Sequence, residues 1–377
     1  MSRSALQEGY TRHHRLSPTS PGERARRETG GSRRGPAGEP QGEDVARAQA
    51  TLQQMTNGYW VTQSIYVAAR FGIADLLKDG PRTISELARS TRTHAPTLYR
   101  VMRALSGLGV FRENDDGTFE ATTLGRCLVS GSPGALRARA IMNGEEWYRA
   151  WGGLLESLRT GETAFDQLFG MPFFEYLSAN AGSAAIFNEA MASSTELAAR
   201  AVAEVYDLSG AGTIVDVGGG TGAFLAGILM ANPQARGILF DRPDVVADAS
   251  GILTGAGVAS RCAVIAGDFL EAVPSGGGAY ILSWIIHDWD DDRAVTILKN
   301  CRRAMADDAR LLILEQVVPH GNEPSLSKLY DLHMLVLYRG RERREDEYRA
   351  LLAAANLHLA RVIPTRVPRS VIEALPR

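Results

Sequence analysis

The stretch Thr213-Ile214-Val215-Asp216-Val217-Gly218-Gly219-Gly220-Thr221-Gly222 decides the fold. A short β-branched run that stops at a glycine cluster reads as a buried strand entering a tight turn. Glycines there let the backbone bend sharply and approach a bound nucleotide or amino-acid moiety. From Thr213 onward the chain alternates strands and helices. Strands are expected over 213–217, 237–240, 263–265, 280–283 and 311–315, with helices between them, for instance over 293–306. That rhythm describes an α/β fold with a Rossmann-like, doubly wound parallel sheet, whose ligands bind at the carboxyl ends of the strands.

The glycine turn alone does not name a ligand. Gly218, Gly220 and Ala223 also satisfy the Gly-x-Gly-x-x-Gly/Ala dinucleotide pattern. Asp241 stands 23 residues after Gly218, at the end of the second strand. A carboxylate there can accept both ribose hydroxyls of NAD or of S-adenosylmethionine. The third strand separates the two, because it ends in Gly267-Asp268-Phe269 and puts an acid and an aromatic beside the expected adenine position. Acids after strands two and three, with Asp216–Gly222 after strand one, favour S-adenosylmethionine.

Upstream, residues 44–77 carry a helical pattern of apolar positions that Gly58 and Gly72 divide into pieces. The first piece is long and amphipathic, as suits a helix that crosses onto a partner subunit. Residues 81–123 read as a winged helix: Thr83 and Glu86 have capping-box spacing, and Pro96 starts a second helix that Gly109 closes. A hairpin of 110–112 and 119–121 around Asp115-Asp116-Gly117 completes the unit. A DNA-binding regulator would need several exposed basic or amide side chains on the second helix, and only Arg100 and Arg103 stand out. Residues 140–205 are helical and aromatic-rich, from Trp147 to Phe187, and read as core with a few members lining an acceptor pocket.

The 377 residues, 45% apolar, suffice for two domains, and a net charge of −2 gives no global pull toward nucleic acid or anionic membrane. Residues 1–42 read as a disordered basic extension; the first 40 hold eight arginines against four glutamates among Gly, Pro and Ser. The remainder divides into a helical and winged-helix dimerisation and substrate domain, 43–205, and a cofactor-binding catalytic domain, 206–377. Three widely spaced cysteines suit a reducing cytoplasm, and no apolar run is long enough to cross a membrane. No His/Cys/Asp cluster has metal-ligand spacing, so no metal is expected. The acidic run Asp288, Asp290, Asp291, Asp292 is read as capping the helix after it.

Residues 44–377 resemble the small-molecule O-methyltransferases of the plant caffeate type and their bacterial relatives in antibiotic biosynthesis. The matching pieces are Asp216–Gly222, Phe240-Asp241-Arg242-Pro243, Gly267-Asp268-Phe269, His287-Asp288-Trp289-Asp290-Asp291, Glu315 and Gly340-Arg341-Glu342-Arg343. The resemblance implies a methyltransferase sheet, an N-terminal dimerisation domain, a homodimer, S-adenosylmethionine and a small-molecule acceptor. It places the general base on His287, its supporting acids on Glu315 and Glu342, and cofactor contacts on Gly218, Gly220, Asp241, Asp268 and Phe269. Asp216, which opens the glycine motif, and Ser283, where plant members carry lysine four residues before the base, are grouped with the cofactor site. Plant substrate specificity is therefore not carried over.

The chemistry agrees. A phenol of pKa ~10 is protonated at neutral pH, and an imidazole near ~6.5 can take its proton. Two carboxylates beside His287 would orient the ring and stabilise the imidazolium. His333, on a helix with Asp331, could face the acceptor but reads more simply as packing. The rivals are a family member diverted to decarboxylation or hydroxylation, the winged-helix regulator and an NAD dehydrogenase.

Overall fold

The computed structural model describes residues 42–132 and 134–377. The extension expected over residues 1–42 lies outside the described residues but for Gly42. Contacts divide the rest into two units, 42–68 with 76–126, and 69–75 with 127–377.

The first unit opens with α1 (Gly42–Thr56) and α2 (Gly58–Arg70), separated where Gly58 was expected to divide them. Then come β1 (Arg82–Thr83), α3 (Ile84–Thr91), α4 (Ala95–Gly107), β2 (Phe111–Glu113) and β3 (Thr118–Ala121), with sheet order β1-β3-β2. The capping box forms as read: Glu86 N–H donates to Thr83 Oγ1 at 3.3 Å, and Thr83 N–H donates to Glu86 Oε2 at 2.8 Å. A cap of this kind stabilises a helix by about 1 kcal/mol. Leu87, Leu98, Met102, Leu105 and Phe119 are buried and form this unit's core.

The second unit carries helices α5 (Arg137–Gly144), α6 (Glu146–Trp151), α7 (Ala164–Phe169), α8 (Phe173–Ala179) and α9 (Ala181–Val205) ahead of the sheet. Its strands are β4 (Thr213–Val217), β5 (Arg236–Asp241), β6 (Cys262–Ala266), β7 (Ala279–Ser283), β8 (Arg310–Glu315), β9 (Leu357–Pro364) and β10 (Ser370–Pro376). Helices α10 (Ala223–Ala231), α11 (Asp291–Ala304), α12 (Leu326–Leu337) and α13 (Glu345–Ala354) lie between them in sequence. The order β6-β5-β4-β7-β8-β10-β9 is parallel through β8, after which β10 runs antiparallel to both neighbours. A dinucleotide fold ends 1-4-5-6 without that reversed hairpin. All five expected strands are present. The hairpin β9–β10 was not foreseen.

Period-two alternation explains why the sheet holds together. Ile214, Ile281, Leu312 and Leu314 face one apolar cluster with α9 and α10, while Val215, Tyr280, Leu282 and Ile313 face another with α11 and α13. Ala198, Ala199 and Val202 of α9 belong to the first cluster. Contacts therefore divide the chain after residue 126, whereas the expected boundary after 205 follows the change in secondary-structure rhythm. A third cluster, with Trp147, Phe165, Phe173 and Leu337, unites the aromatic helices with α12. Each such side chain, fully buried, contributes about 1.5–3 kcal/mol, so the strands are a rigid base for the loops at their ends.

Candidate active site

Those loops and the aromatic helices enclose a cavity of about 720 Å³. Its wall includes Asp216 from β4, Gly218 and Gly220 from the turn after it, Ser283 at the end of β7 and His287 just beyond. Gly218 and Gly220 have φ of +72° and +61°, which disfavours any side chain there. A Cβ on Gly218 would also come within 2.5 Å of Ile285 and 3.3 Å of the Phe269 ring. Phe269 thus lies against the loop, while Asp268 turns back to accept from Leu270 N–H at 2.7 Å. Asp241 stands behind the wall, accepting from Gly220 N–H at 2.8 Å and Arg242 N–H at 2.7 Å. Asp216 is fully buried, and burial, then Asp241, pushes its pKa up to about 7. Burial also raises Asp241, against the pull of its two N–H donors.

Past β7 the backbone turns at Trp284, held at φ +57°, into a single turn over Ile286–Asp288. His287 Nδ1 lies 2.9 Å from Glu342 Oε1, inside the protein, and its Nε2 lies 3.5 Å from Asp288 Oδ1. Glu342 is a carboxylate acceptor, so Nδ1 carries a proton, while Nε2 is left beside Asp288. Glu315 does not touch the ring. Its Oε1 accepts from the backbone N–H of Ile285 and of His287, at 3.2 and 3.1 Å, and so fixes the turn rather than the ring.

The motif Gly340-Arg341-Glu342-Arg343 wraps this turn. Arg341 N–H donates to His287 O at 2.8 Å, and buried Arg343 donates to the carbonyls of Ile286 and Trp289 at 3.0 and 2.8 Å. Gly340 lies so close that a Cβ would sit 2.1 Å from His287 O.

Burial alone would push the His287 pKa down. Asp288, the hydrogen bond from Glu342 and the charge of Glu315 outweigh it and raise the pKa from 6.5 to about 9. Burial in turn lifts Asp288 to about 6, against the pull of His287, and burial raises Glu342. The ring is thus an imidazolium at neutral pH, not the neutral imidazole expected from an ordinary histidine.

Asp288 is the acid that sequence reasoning misassigned. The capping role belongs to Asp290, whose Oδ1 accepts from Arg293 N–H at 2.9 Å, and Asp291 pairs with Arg343 at 2.8 Å. The available signal was that Asp288 directly follows the histidine, whereas Asp290 and Asp291 stand three and four residues beyond it. His333 was also underrated, since it lines the cavity. Trp151 Nε1–H donates to its Nδ1 at 3.0 Å, and burial pushes its pKa down to about 3, so it is neutral. Of the aromatics, Trp147, Phe174 and Phe187 reach the cavity, while Phe165 and Phe173 are core. Arg139, Tyr330, Tyr338 and Arg369 complete the acceptor side and went unread. Among the described residues no group of three or more His, Cys, Asp or Glu could hold a metal ion. No helix among them is long and apolar enough to cross a membrane.

The cavity joins a glycine-turned sheet to a carboxylate-clamped histidine, and the chain belongs to the S-adenosylmethionine-dependent O-methyltransferase family. The models for the O-methyltransferase domain and the O-methyltransferase dimerisation domain match residues 151–358 and 53–131. The chain is 50% identical to the phenazine O-methyltransferase PhzM of Lysobacter antibioticus over 325 residues, which cover 86% of this chain and 95% of that one. It is similar to the solved structure of LaPhzM, with a TM-score of 0.83, 49% identity, and coverage of 88% and 99%. It is also 36% identical over 303 residues, 79% of this chain and 81% of the other, to the aclacinomycin 10-hydroxylase RdmB of Streptomyces purpurascens. The residues around β4 fit S-adenosylmethionine: buried Asp216 has no cationic partner, and the cradle at Gly218 is one a Cβ would fill.

Proposed function

We propose that this enzyme methylates an aromatic hydroxyl of a small natural product, with His287 holding the acceptor's proton. The observation that carries the reading is the clamp on His287, which is anchored through Nδ1 on Glu342 and lines the cavity. When bound, S-adenosylmethionine supplies an electrophilic methyl on a sulfonium, open to in-line attack. Gly218 and Gly220 would admit it, Asp241 would accept from its ribose, Asp268 and Phe269 would flank its adenine, and Asp216 and Ser283 would complete its pocket. His287 keeps the acceptor oxygen anionic, because a group with a pKa of about 9 retains a proton it takes from any hydroxyl of similar or lower pKa. Such an imidazolium suits oxygen, which can carry the negative charge, better than an uncharged amine.

The same reading makes the protein a homodimer, built on the dimerisation domain. Leu52 and Met55 on α1 are each 63% exposed and Trp60 on α2 is 57% exposed, an apolar surface suited to a second copy. Among the described residues no disulfide joins any of the three cysteines, which accords with a cytoplasmic address.

Two experiments test the site. In the first, kcat/KM for the acceptor is followed against pH at saturating S-adenosylmethionine. The reactive pair holds one proton between acceptor and His287, whose pKa is about 9. For an acceptor hydroxyl of pKa ~7, the profile rises to about 7, stays level, and falls above about 9 as the imidazolium is lost. A phenol of pKa ~10 instead gives a profile that climbs about tenfold per unit to about 9. A profile independent of the acceptor's pKa defeats the proton assignment. In the second, Asp241→Ala weakens S-adenosylmethionine binding on the order of tenfold or more, since charge-assisted bonds contribute about 1.5–3 kcal/mol. An unchanged calorimetric Kd in a folded variant removes Asp241 from the site.

A further inference from the structure

Two guanidinium groups on the acceptor side of the cavity have no carboxylate to answer them. Arg369, only 6% exposed, lies with Cζ 3.6 Å from the centre of the Trp284 ring and donates from Nη1 to Ser283 Oγ at 3.3 Å. Arg139 donates from Nη1 to Tyr330 Oη at 3.3 Å and from Nη2 to Ser194 Oγ at 3.1 Å, with Cζ 5.4 Å from the Trp147 ring centre. Among the described residues neither guanidinium has a carboxylate within ion-pairing distance. Burial pushes Arg369 down to about 9, and the like charge of Arg139 acts in the same direction; Tyr330, Glu315 and Glu342 oppose them only in part. Arg369 therefore stays cationic at neutral pH. The indole N–H groups of Trp147 and Trp284, on the same wall, are buried without acceptors.

Holding two like charges in a low-dielectric wall without an anion is costly, and costs of this kind are retained where a ligand offsets them. The other acids on the wall do not fill that role. Asp288 faces His287 at 3.5 Å, and Asp216 belongs to β4. Glu189, also on the wall, forms no ion pair with either arginine. Guanidinium forks match carboxylates in two-point geometry, and each such bond is charge-assisted.

We propose that Arg369 and Arg139 form a carboxylate subsite and that the acceptor is a hydroxyarene carboxylic acid. Its carboxylate sits on the two guanidiniums while its hydroxyl meets His287. The Trp284 ring links the two ends, 5.8 Å from the His287 ring and 3.6 Å from Arg369 Cζ, a reach that one aromatic ring system covers. The proposal rests on the methyl-transfer reading above. The cofactor's own methionine carboxylate is the other possible source of the anion, and the experiment separates them.

The enzyme, saturated with S-adenosylhomocysteine, is titrated in a calorimeter with 6-hydroxy-2-naphthoic acid, its methyl ester and 2-naphthol. The acid is expected to bind about 10–100-fold more tightly than the ester or the naphthol. Arg369→Gln should bring that preference to threefold or less and leave the Kd for S-adenosylmethionine unchanged; Arg139→Gln should cut it in part. Equal affinities in the wild type, or no measurable binding of the acid, overturn the subsite without reference to any variant. A variant that keeps the preference but loses tenfold or more in S-adenosylmethionine affinity overturns it too, assigning the arginine to the cofactor. If Arg369→Gln does not fold, Arg369→Lys keeps the charge, loses the fork, and should still lose most of the preference. Binding needs no turnover: an acid held tightly yet never methylated counts against methyl transfer and leaves the subsite standing.

Discussion

Replacing His287 by alanine lowers the methyl-transfer rate at neutral pH by about 10²–10⁴-fold, the usual contribution of a general acid–base group. The variant folds, because the turn is held through its backbone. His287 N–H still reaches Glu315 Oε1, its carbonyl still accepts from Arg341 N–H, and Arg343 still spans the carbonyls on either side. What is lost is the only ring between Glu342 and Asp288, and Glu342, already raised by burial, takes up a proton to stay neutral. S-adenosylmethionine binds with its wild-type Kd, since the turn after β4 is untouched. Residual turnover rises with pH as the acceptor ionises unaided, because the two reactants are still held in line. A phenolic panel supplies the acceptor, and rapid-quench assays at pH 7 give the rate. Methylation by His287→Ala at the wild-type rate refutes the assignment of the proton to this residue.

The second large effect comes from a residue without a side chain. In Gly340→Ala the new Cβ would stand 2.1 Å from His287 O, 3.0 Å from Asp288 Cα and 3.1 Å from His287 C. All three atoms are backbone, so no rotamer relieves the clash and the turn itself must move. Overpacking of this sort destabilises by about 1–3 kcal/mol, occasionally more, which lowers Tm by several degrees in a chain of this size. A shift of the base by ~1 Å costs on the order of 10²-fold in rate. The expected pattern is lost kcat, lowered Tm and an unchanged S-adenosylmethionine Kd. Wild-type kcat with wild-type Tm would mean that the turn and the loop at Gly340 are not in contact in solution.

The parallel core was legible because its strands are short apolar runs ended by glycine or acid, as at Val217-Gly218 and Phe240-Asp241. Strands β9 and β10 were missed for a physical reason. Glu373 and Arg361 interrupt their apolar faces, and the two charges satisfy each other across the hairpin. The histidine and Glu342 could be located by motif, but not the character of the base. Its pKa depends on three carboxylates from β8, the β7 turn and the Glu342 loop, whose convergence only the fold reveals. Asp288 was hidden by its neighbours, since four acids in five positions read as one helix cap when only Asp290 serves as one. The arginines were invisible for the opposite reason: each looks like an ordinary surface residue until the fold sets it in the cavity wall.

The site is completed in a definite order along the chain. The cradle around β4, β5 and β6 is written by residue 269, whereas Glu342 lies 55 residues beyond the histidine it clamps and Arg369 lies 86 beyond Ser283. On the proposed reading, the donor-side residues are therefore complete in the sequence before two of the acceptor-side groups, Glu342 and Arg369, are added. The last nine residues include β10, wedged between β8 and β9, and they close the sheet beside Glu315. On the proposed reading, a chain lacking residues 369–377 would keep His287 and Glu342 but lose Arg369 and the strand that pairs with β8 beside Glu315.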